Sequence, residues 1–409
     1  MLLAQPLSVG GRTLRCRLVM TPHLGRLAPP RLARYVARRA EGGVAMIVLP
    51  AGQAIYGHPA YPAEIATALA DGYADPDGVG YHVRDPRHRD YLTSALTASL
   101  ARLAQAAHSG GALIIGQIHH PGAERSWDNF QATVAPSAIR ADASAWMPHA
   151  LSAREIADLV AAYGQTAEAI IAAGMDGVEV HAGHGYLLNR FLSPYYNRRT
   201  DAYGGSAAAR RLLLTQILAE IRQRIGPEPL LGVRLPAAEE VEGGLTSAEV
   251  AEIAAAISDP LSYLSVSLGN HDGIRDGRPA TAYTAPWLTG PPPAVDPARL
   301  VRSAVDRPLI VTGRITSAAV AEEILATGAA DLVGVARALI ADPDFAAKAT
   351  TGRGDEIDQC VGVNECTLVP FSCPVNPDAG REAAAAGDAQ TADGSAGAAT
   401  GRGAGRPAR

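Results

Sequence analysis

Eight short apolar runs recur along the chain at long intervals. They are RLVMTP (17–22), VAMIVLPAG (44–52), ALIIGQIHH (112–120), DGVEVHA (176–182), LLGVRLP (230–236), LSYLSVSLG (261–269), PLIVTG (308–313) and ADLVGVA (330–336). Each begins as a near-continuous apolar stretch rather than an alternation, the pattern of parallel strands covered on both faces. Between them, apolar residues fall at helical spacing over 88–109, 152–173, 207–225, 247–258 and 316–327. Ser206 is placed to cap the stretch at 207–225. Strands alternating with helices in this number predict an α/β fold, a (β/α)8 TIM barrel in preference to a doubly wound sheet.

The polar residues are distributed unevenly over that frame. The segments after strand ends are long and carry His119 and His120, the stretch 181–205, and the stretch 271–293. Such barrels build their active sites at the C-terminal ends of the strands. The densest segment reads HAGHGYLLNRFLSPYYNRRTDAYGGS (181–206). Imidazoles at His181 and His184 can hydrogen-bond a carbonyl oxygen, and a phenol at Tyr186 can deliver a proton. Together they would polarise and protonate an unsaturated carbonyl. A metal-dependent hydrolase is the rival reading, with His23, His181, His184 and His271 as ligands. Against it, the first strand ends MTPH, with a single histidine where a His-x-His pair is expected.

Further candidates sit at other strand ends. Gln117 places an amide where it can donate and accept toward a planar ring. Arg234 brings a cation to the end of the fifth strand, where burial is costly unless an anion or an electron-rich edge answers it. Gly313 and Arg314 follow the seventh strand, and Ala336 and Arg337 follow the eighth. That position suits a phosphate dianion, held by backbone N–H groups, a helix N-terminus and guanidinium. The plainer alternative makes these glycines turn residues and these arginines surface ion pairs.

Composition narrows the classes. The 409 residues allow one large domain or two ordinary ones. A net charge of -5 leaves no basic footprint for nucleic acid. No stretch reaches the roughly 20 apolar residues of a membrane span, and the N-terminus lacks a leader pattern. A cytoplasmic protein is expected. Of 36 basic residues one, Lys348, is a lysine, which disfavours Schiff-base chemistry. Cys360, Cys366 and Cys373 crowd together, with Cys16 far away; in a cytosolic chain that favours a metal site over disulfides. The expected units are a barrel over 1–350, a cysteine-containing extension over 351–377, and a disordered low-complexity tail over 378–409.

The 181–206 segment resembles, almost residue for residue, the signature of the old yellow enzyme family of FMN-dependent ene-reductases. The likeness runs through most of residues 1–377, in PLSVGGRTLRCRLVMTP, GQIHHPG, APSAI (135–139), GVRLPAAEEVEGGL, PLIVTGRIT and ARALIADPDF. CVGVNECTLVPFSCPVNPDAGRE is similar to the iron–sulfur segment of the 2,4-dienoyl-CoA reductase branch. The resemblance implies FMN as cofactor and NAD(P)H as electron donor. It implies that Pro22, His23 and Ala51 line the flavin, Gln117 contacts its pyrimidine part, and Arg234 lies by its N1–C2=O edge. Gly313, Arg314, Ala336 and Arg337 would take the phosphate. His181 and His184 would hold the substrate oxygen, Tyr186 would donate the proton, and His271 would join them. The substrate would be a small molecule with an α,β-unsaturated carbonyl, or an enoyl or dienoyl thioester.

Two departures from that branch stand out. Val363 occupies the place of one cluster cysteine and Cys366 comes one residue early, so a [4Fe–4S] cluster would need another ligand or an open iron. The branch's long members continue into an FAD and NADPH domain. Here electrons would reach FMN directly or from a redox partner protein, as in short members similar to those beside mycofactocin genes. Relatives that demethylate amines keep an amine dehydrogenase reading open, although Cys16 precedes the strand where a covalent flavin link would need it. A non-catalytic electron carrier is a further alternative. A homo-oligomer is expected.

Overall fold

A computed structural model describes residues 1–23, 27, 29–53, 86–123, 133–140, 147–270, 292–367 and 371–382. All eight apolar runs are strands. They are β3 (Leu18–Met20), β4 (Met46–Gln53), β5 (Leu113–His119), β8 (Gly177–His181), β9 (Leu230–Pro236), β10 (Tyr263–Ser267), β11 (Leu309–Thr312) and β12 (Leu332–Val335). They pair in parallel, and β12 returns to β3, closing the barrel. Burial of β8 to β12 along their whole length explains why the runs read as continuously apolar.

Two small sheets dress this barrel. β1 (Leu7–Val9) and β2 (Arg12–Leu14) form a hairpin whose turn, Gly10 and Gly11, has positive φ at both positions. That turn geometry suits the right-handed twist of the strands. A Cβ on Gly10 would meet Leu230 and Ser262, so the hairpin presses on the entrances of β9 and β10. β6 (Val134–Ala135) and β7 (His149–Ala150) pair elsewhere.

The five helices expected from spacing lie within two residues of their predicted ends: Pro86–Ser109, Ala153–Ala172, Ala207–Ile225, Ser247–Ile257 and Ala318–Ala326. Their starts are chemically marked. Ser152 with Glu155, and Thr246 with Glu249, form reciprocal capping boxes, and Ser206 accepts from the Ala209 N–H. Helix Pro29–Glu41 was not among the expected five. No helix among the described residues is long and apolar enough to cross a membrane.

Residues 378–382 depart from the expected disordered tail. They dock on helix Pro29–Glu41: Arg31 Nε donates to the Gly380 carbonyl at 2.7 Å, and the buried Arg39 pairs with the Glu382 carboxylate. Residues 383–409 lie outside the described residues.

Candidate active site

The site is built at the C-terminal ends of β5, β8, β9 and β10. Strand register sets two levels of side chains. Gln117 pairs with Glu179, Glu179 with Gly232, and Gly232 with Tyr263. Two residues onward, His181 pairs with Arg234 and Arg234 with Ser265. Residues two apart on a strand share a face, so each level stacks on the one before it.

A chain of hydrogen bonds orders the upper level. The Gly183 N–H donates to His181 Nδ1 at 3.2 Å, which leaves the proton of the neutral ring on Nε2. His181 Nε2 faces His184 Nδ1 at 3.1 Å, and His184 Nε2 faces Ser267 Oγ at 2.8 Å. Arg234 Nε donates to the same hydroxyl at 3.3 Å. One backbone amide thereby assigns both histidine tautomers. Tyr186 stands half-buried against this pair, its ring 5.0 Å from His181 and 5.4 Å from His119.

Much of the polarity of 181–206 holds the loop itself. His184 has φ 60 between two glycines, and the Gly185 N–H donates to Asn189 Oδ1 at 2.7 Å. Glu239, fully buried beyond β9, accepts from Ser193 Oγ at 2.7 Å, the Leu245 N–H at 2.8 Å, and the amides of Asn189 and Asn270 at 3.3 Å. Burial pushes its carboxyl up, while these donors and the charge of Arg190 pull it back. Sequence reasoning missed Glu239 and Glu179. A carboxylate in the centre of the apolar GVEV run was the available signal for the second.

His119 is buried, and that burial pushes its imidazole from 6.5 down to about 4. The unfolded chain takes up this proton near pH 6.5, the folded chain only near 4. Stability therefore falls as pH drops through that window and levels off below it. Replacing His119 by Gln is expected to flatten this part of the curve, which melting temperatures between about pH 4 and 8 would record.

Around β11 and β12 the four phosphate candidates come together. Gly313, Arg314, Ala336 and Arg337 line one open cavity of about 60 Å³, with Thr312 and Cys360. Gly313 has φ 130 and Arg314 φ 56. A Cβ on Gly334 would lie 2.2 Å from Thr312 Oγ1, so only glycine leaves that wall open. Thr312 Oγ1 and Arg314 Nε are buried without a partner, as are Arg234 Nη1 and Ser265 Oγ deeper in the barrel mouth. Buried orphans of this kind call for a ligand. These fit a group with a polar ring edge over β9 and β10 and an anionic end at β11 and β12, as FMN has.

The remaining candidates divide. Pro22 is half-buried beyond β3, and His23 Nε2 accepts from the Tyr35 hydroxyl at 2.7 Å. Ala51 lies where the register between β4 and β5 shifts. His271 lies outside the described residues. Cys16 is buried, its thiol directed at the Gly43 carbonyl 3.5 Å away before the barrel begins.

Cys360, Cys366 and Cys373 line a second, smaller cavity of about 20 Å³. All three are free thiols. Burial, reinforced by Cys360, pushes the Cys366 thiol up to about 11. Val363, at the position of the absent cysteine, is 53% exposed. Among the described residues no three His, Cys, Asp or Glu are grouped to hold a metal ion. The three cysteines, metal candidates by their spacing, do not by themselves complete the four-thiolate set of a [4Fe–4S] cluster. Nor do His23, His181 and His184 form the metal centre of a hydrolase.

A model of the NADH:flavin oxidoreductase / NADH oxidase family matches residues 91–356. An NADH oxidase of Thermoanaerobacter brockii is 32% identical over 391 residues, covering 91% of this chain and 56% of that protein. An NADPH dehydrogenase of Halalkalibacterium halodurans is 31% identical over 357 residues, covering 85% of this chain and 94% of that one. Among solved structures, a 2-naphthoyl-CoA reductase bound to 2-naphthoyl-CoA superposes with a TM-score of 0.78 at 25% identity, covering 93% of this chain and 58% of that one. The chain spans about half the length of the longer relatives.

Proposed function

Because the chain belongs to the NADH:flavin oxidoreductase / NADH oxidase family, we propose that it is an FMN-dependent oxidoreductase. In this reading it uses NAD(P)H to reduce the carbon–carbon double bond of an α,β-unsaturated carbonyl compound. The observation that carries the reading is the placement of Tyr186 beside the tautomer-fixed pair His181 and His184, next to an Arg234 nitrogen buried without a partner. When bound, the flavin supplies the hydride chemistry of the family.

The chain's own residues do the rest. Gly313, Arg314, Ala336 and Arg337 hold the phosphate end. Gln117 and Arg234 answer the pyrimidine edge of the ring. His181 and His184 bind the substrate oxygen: a carbonyl entering between the rings accepts the His181 Nε2–H in place of His184 Nδ1, and accepts from His184 once that ring takes the other tautomer, with its Nε2 accepting from Ser267 Oγ. Tyr186 then delivers its phenolic proton to the α-carbon. Ser267 links this histidine pair to Arg234, so substrate and cofactor ends share one hydrogen-bonded frame.

Thioester substrates are the finer reading, supported by the likeness to the naphthoyl-CoA reductase. The test is reoxidation of the NADH-reduced flavoprotein without oxygen. Added 2-cyclohexenone or crotonyl-CoA should restore the oxidised spectrum, and a faster return with the thioester would support the finer reading. If neither alkene reoxidises the flavin and a secondary amine reduces it instead, the ene-reductase reading fails.

A further inference from the structure

A carboxylate lies beneath the pyrimidine-facing residues, and nothing in the reaction above uses it. Glu179 is 1% exposed. Its Oε1 accepts from Gln117 Nε2 at 2.6 Å, and its Oε2 accepts from the Tyr263 hydroxyl at 3.1 Å. Gly232 makes the second bond feasible. It stands between Glu179 and Tyr263 in the register, and a Cβ there would lie 2.2 Å from Tyr263 Cζ. The tyrosine ring therefore crosses a whole strand over the bare glycine to reach the carboxylate.

We infer that Glu179 is a positioning residue for the cofactor, fixing the amide of Gln117 and offsetting the charge of Arg234. The inference rests on the flavin reading above. An ionised carboxylate only accepts hydrogen bonds, so Gln117 must turn its nitrogen toward Glu179. Its carbonyl oxygen is then turned away from Glu179, free to accept from the imide N–H of an isoalloxazine ring. Burial pushes the Glu179 carboxyl up, and the Arg234 charge and the two donors pull it only part of the way back. Glu179 acts back on Arg234, opposing the burial that lowers it. A guanidinium without this counter-charge would attract a reduced, anionic flavin more strongly.

Two substitutions separate the roles. Glu179→Gln keeps the shape but lets its own amide donate or accept, so Gln117 loses its enforced orientation and Arg234 its counter-charge. FMN affinity should fall roughly tenfold, the cost of one buried hydrogen-bond mismatch, and the flavin midpoint potential should rise. Glu179→Asp keeps the charge but withdraws it from Gln117. Affinity should fall similarly while the potential stays near wild type. A side chain that only filled space would lower the melting temperature and leave the potential unmoved.

The experiment uses the full chain, stripped of flavin. Its readouts are melting temperature, FMN affinity by quenching of flavin fluorescence, and midpoint potential by dye-coupled titration. Wild-type affinity and potential in Glu179→Gln would overturn the inference. If that variant does not fold, wild-type affinity in Glu179→Asp overturns it equally. If the wild-type protein itself binds no FMN, the flavin reading fails and takes this inference with it.

Discussion

Replacing Tyr186 by Phe is expected to slow alkene reduction by about 10²–10⁴-fold, the contribution of a positioned general acid, while flavin reduction by NAD(P)H keeps its wild-type rate. Tyr186 begins the short helix Leu187–Leu192 through its backbone, and its side chain makes no capping bond there. Phenylalanine retains the edge-on ring contact with His181 and the tilted one with His119 and removes only the hydroxyl. Hydride acceptance from NAD(P)H needs no proton from this phenol. Stopped-flow measurement of the two half-reactions separates them. Equal loss in both would remove Tyr186 from the proton-donor role.

The second large effect concerns the charge in the barrel. Arg234→Met is expected to cost about 3–5 kcal/mol of folding stability, because it leaves the Glu179 carboxylate buried without its opposing charge. Adding Glu179→Gln to that variant should recover most of the loss. Methionine fills much of the arginine stem's volume, and the glutamine still meets Gln117 and Tyr263. Urea unfolding of the two single variants and the double variant completes the cycle. Strict additivity of the two losses would mean that Arg234 and Glu179 do not act on each other. Both variants containing Arg234→Met should bind FMN poorly, since the ring edge loses its cation in either case.

The barrel was legible because its strands are covered on both faces, which writes each as an apolar run with turn residues beside it. Apolar residues at helical spacing marked the helices Ala153–Ala172, Ala207–Ile225 and Ser247–Ile257 for the same kind of local reason, and Ser206 marked the start of the second. Helix Pro29–Glu41 was harder to read. Arg39 lies on its buried face, held by the Leu339 carbonyl, the ring of Tyr35 and Glu382. Two of those three partners are about 300 residues or more away in sequence, so spacing could not announce them.

The site divides along the same line. His181, His184 and Tyr186 are close in sequence and were visible together. Glu179 and Glu239 act through Tyr263, Asn189, Ser193 and Asn270, which come from separate elements. Cys360, Cys366 and Cys373 are close in sequence and line one cavity, and Val363 leaves them one thiolate short of a four-cysteine set.

The measurement that tests the central claim most directly is the visible absorption spectrum of the protein soaked in FMN, freed of excess, and kept without air. Spectra before and after addition of NAD(P)H decide the matter. A bound flavin envelope that bleaches on addition is the predicted result. A protein that retains no flavin after soaking would contradict the account at its foundation.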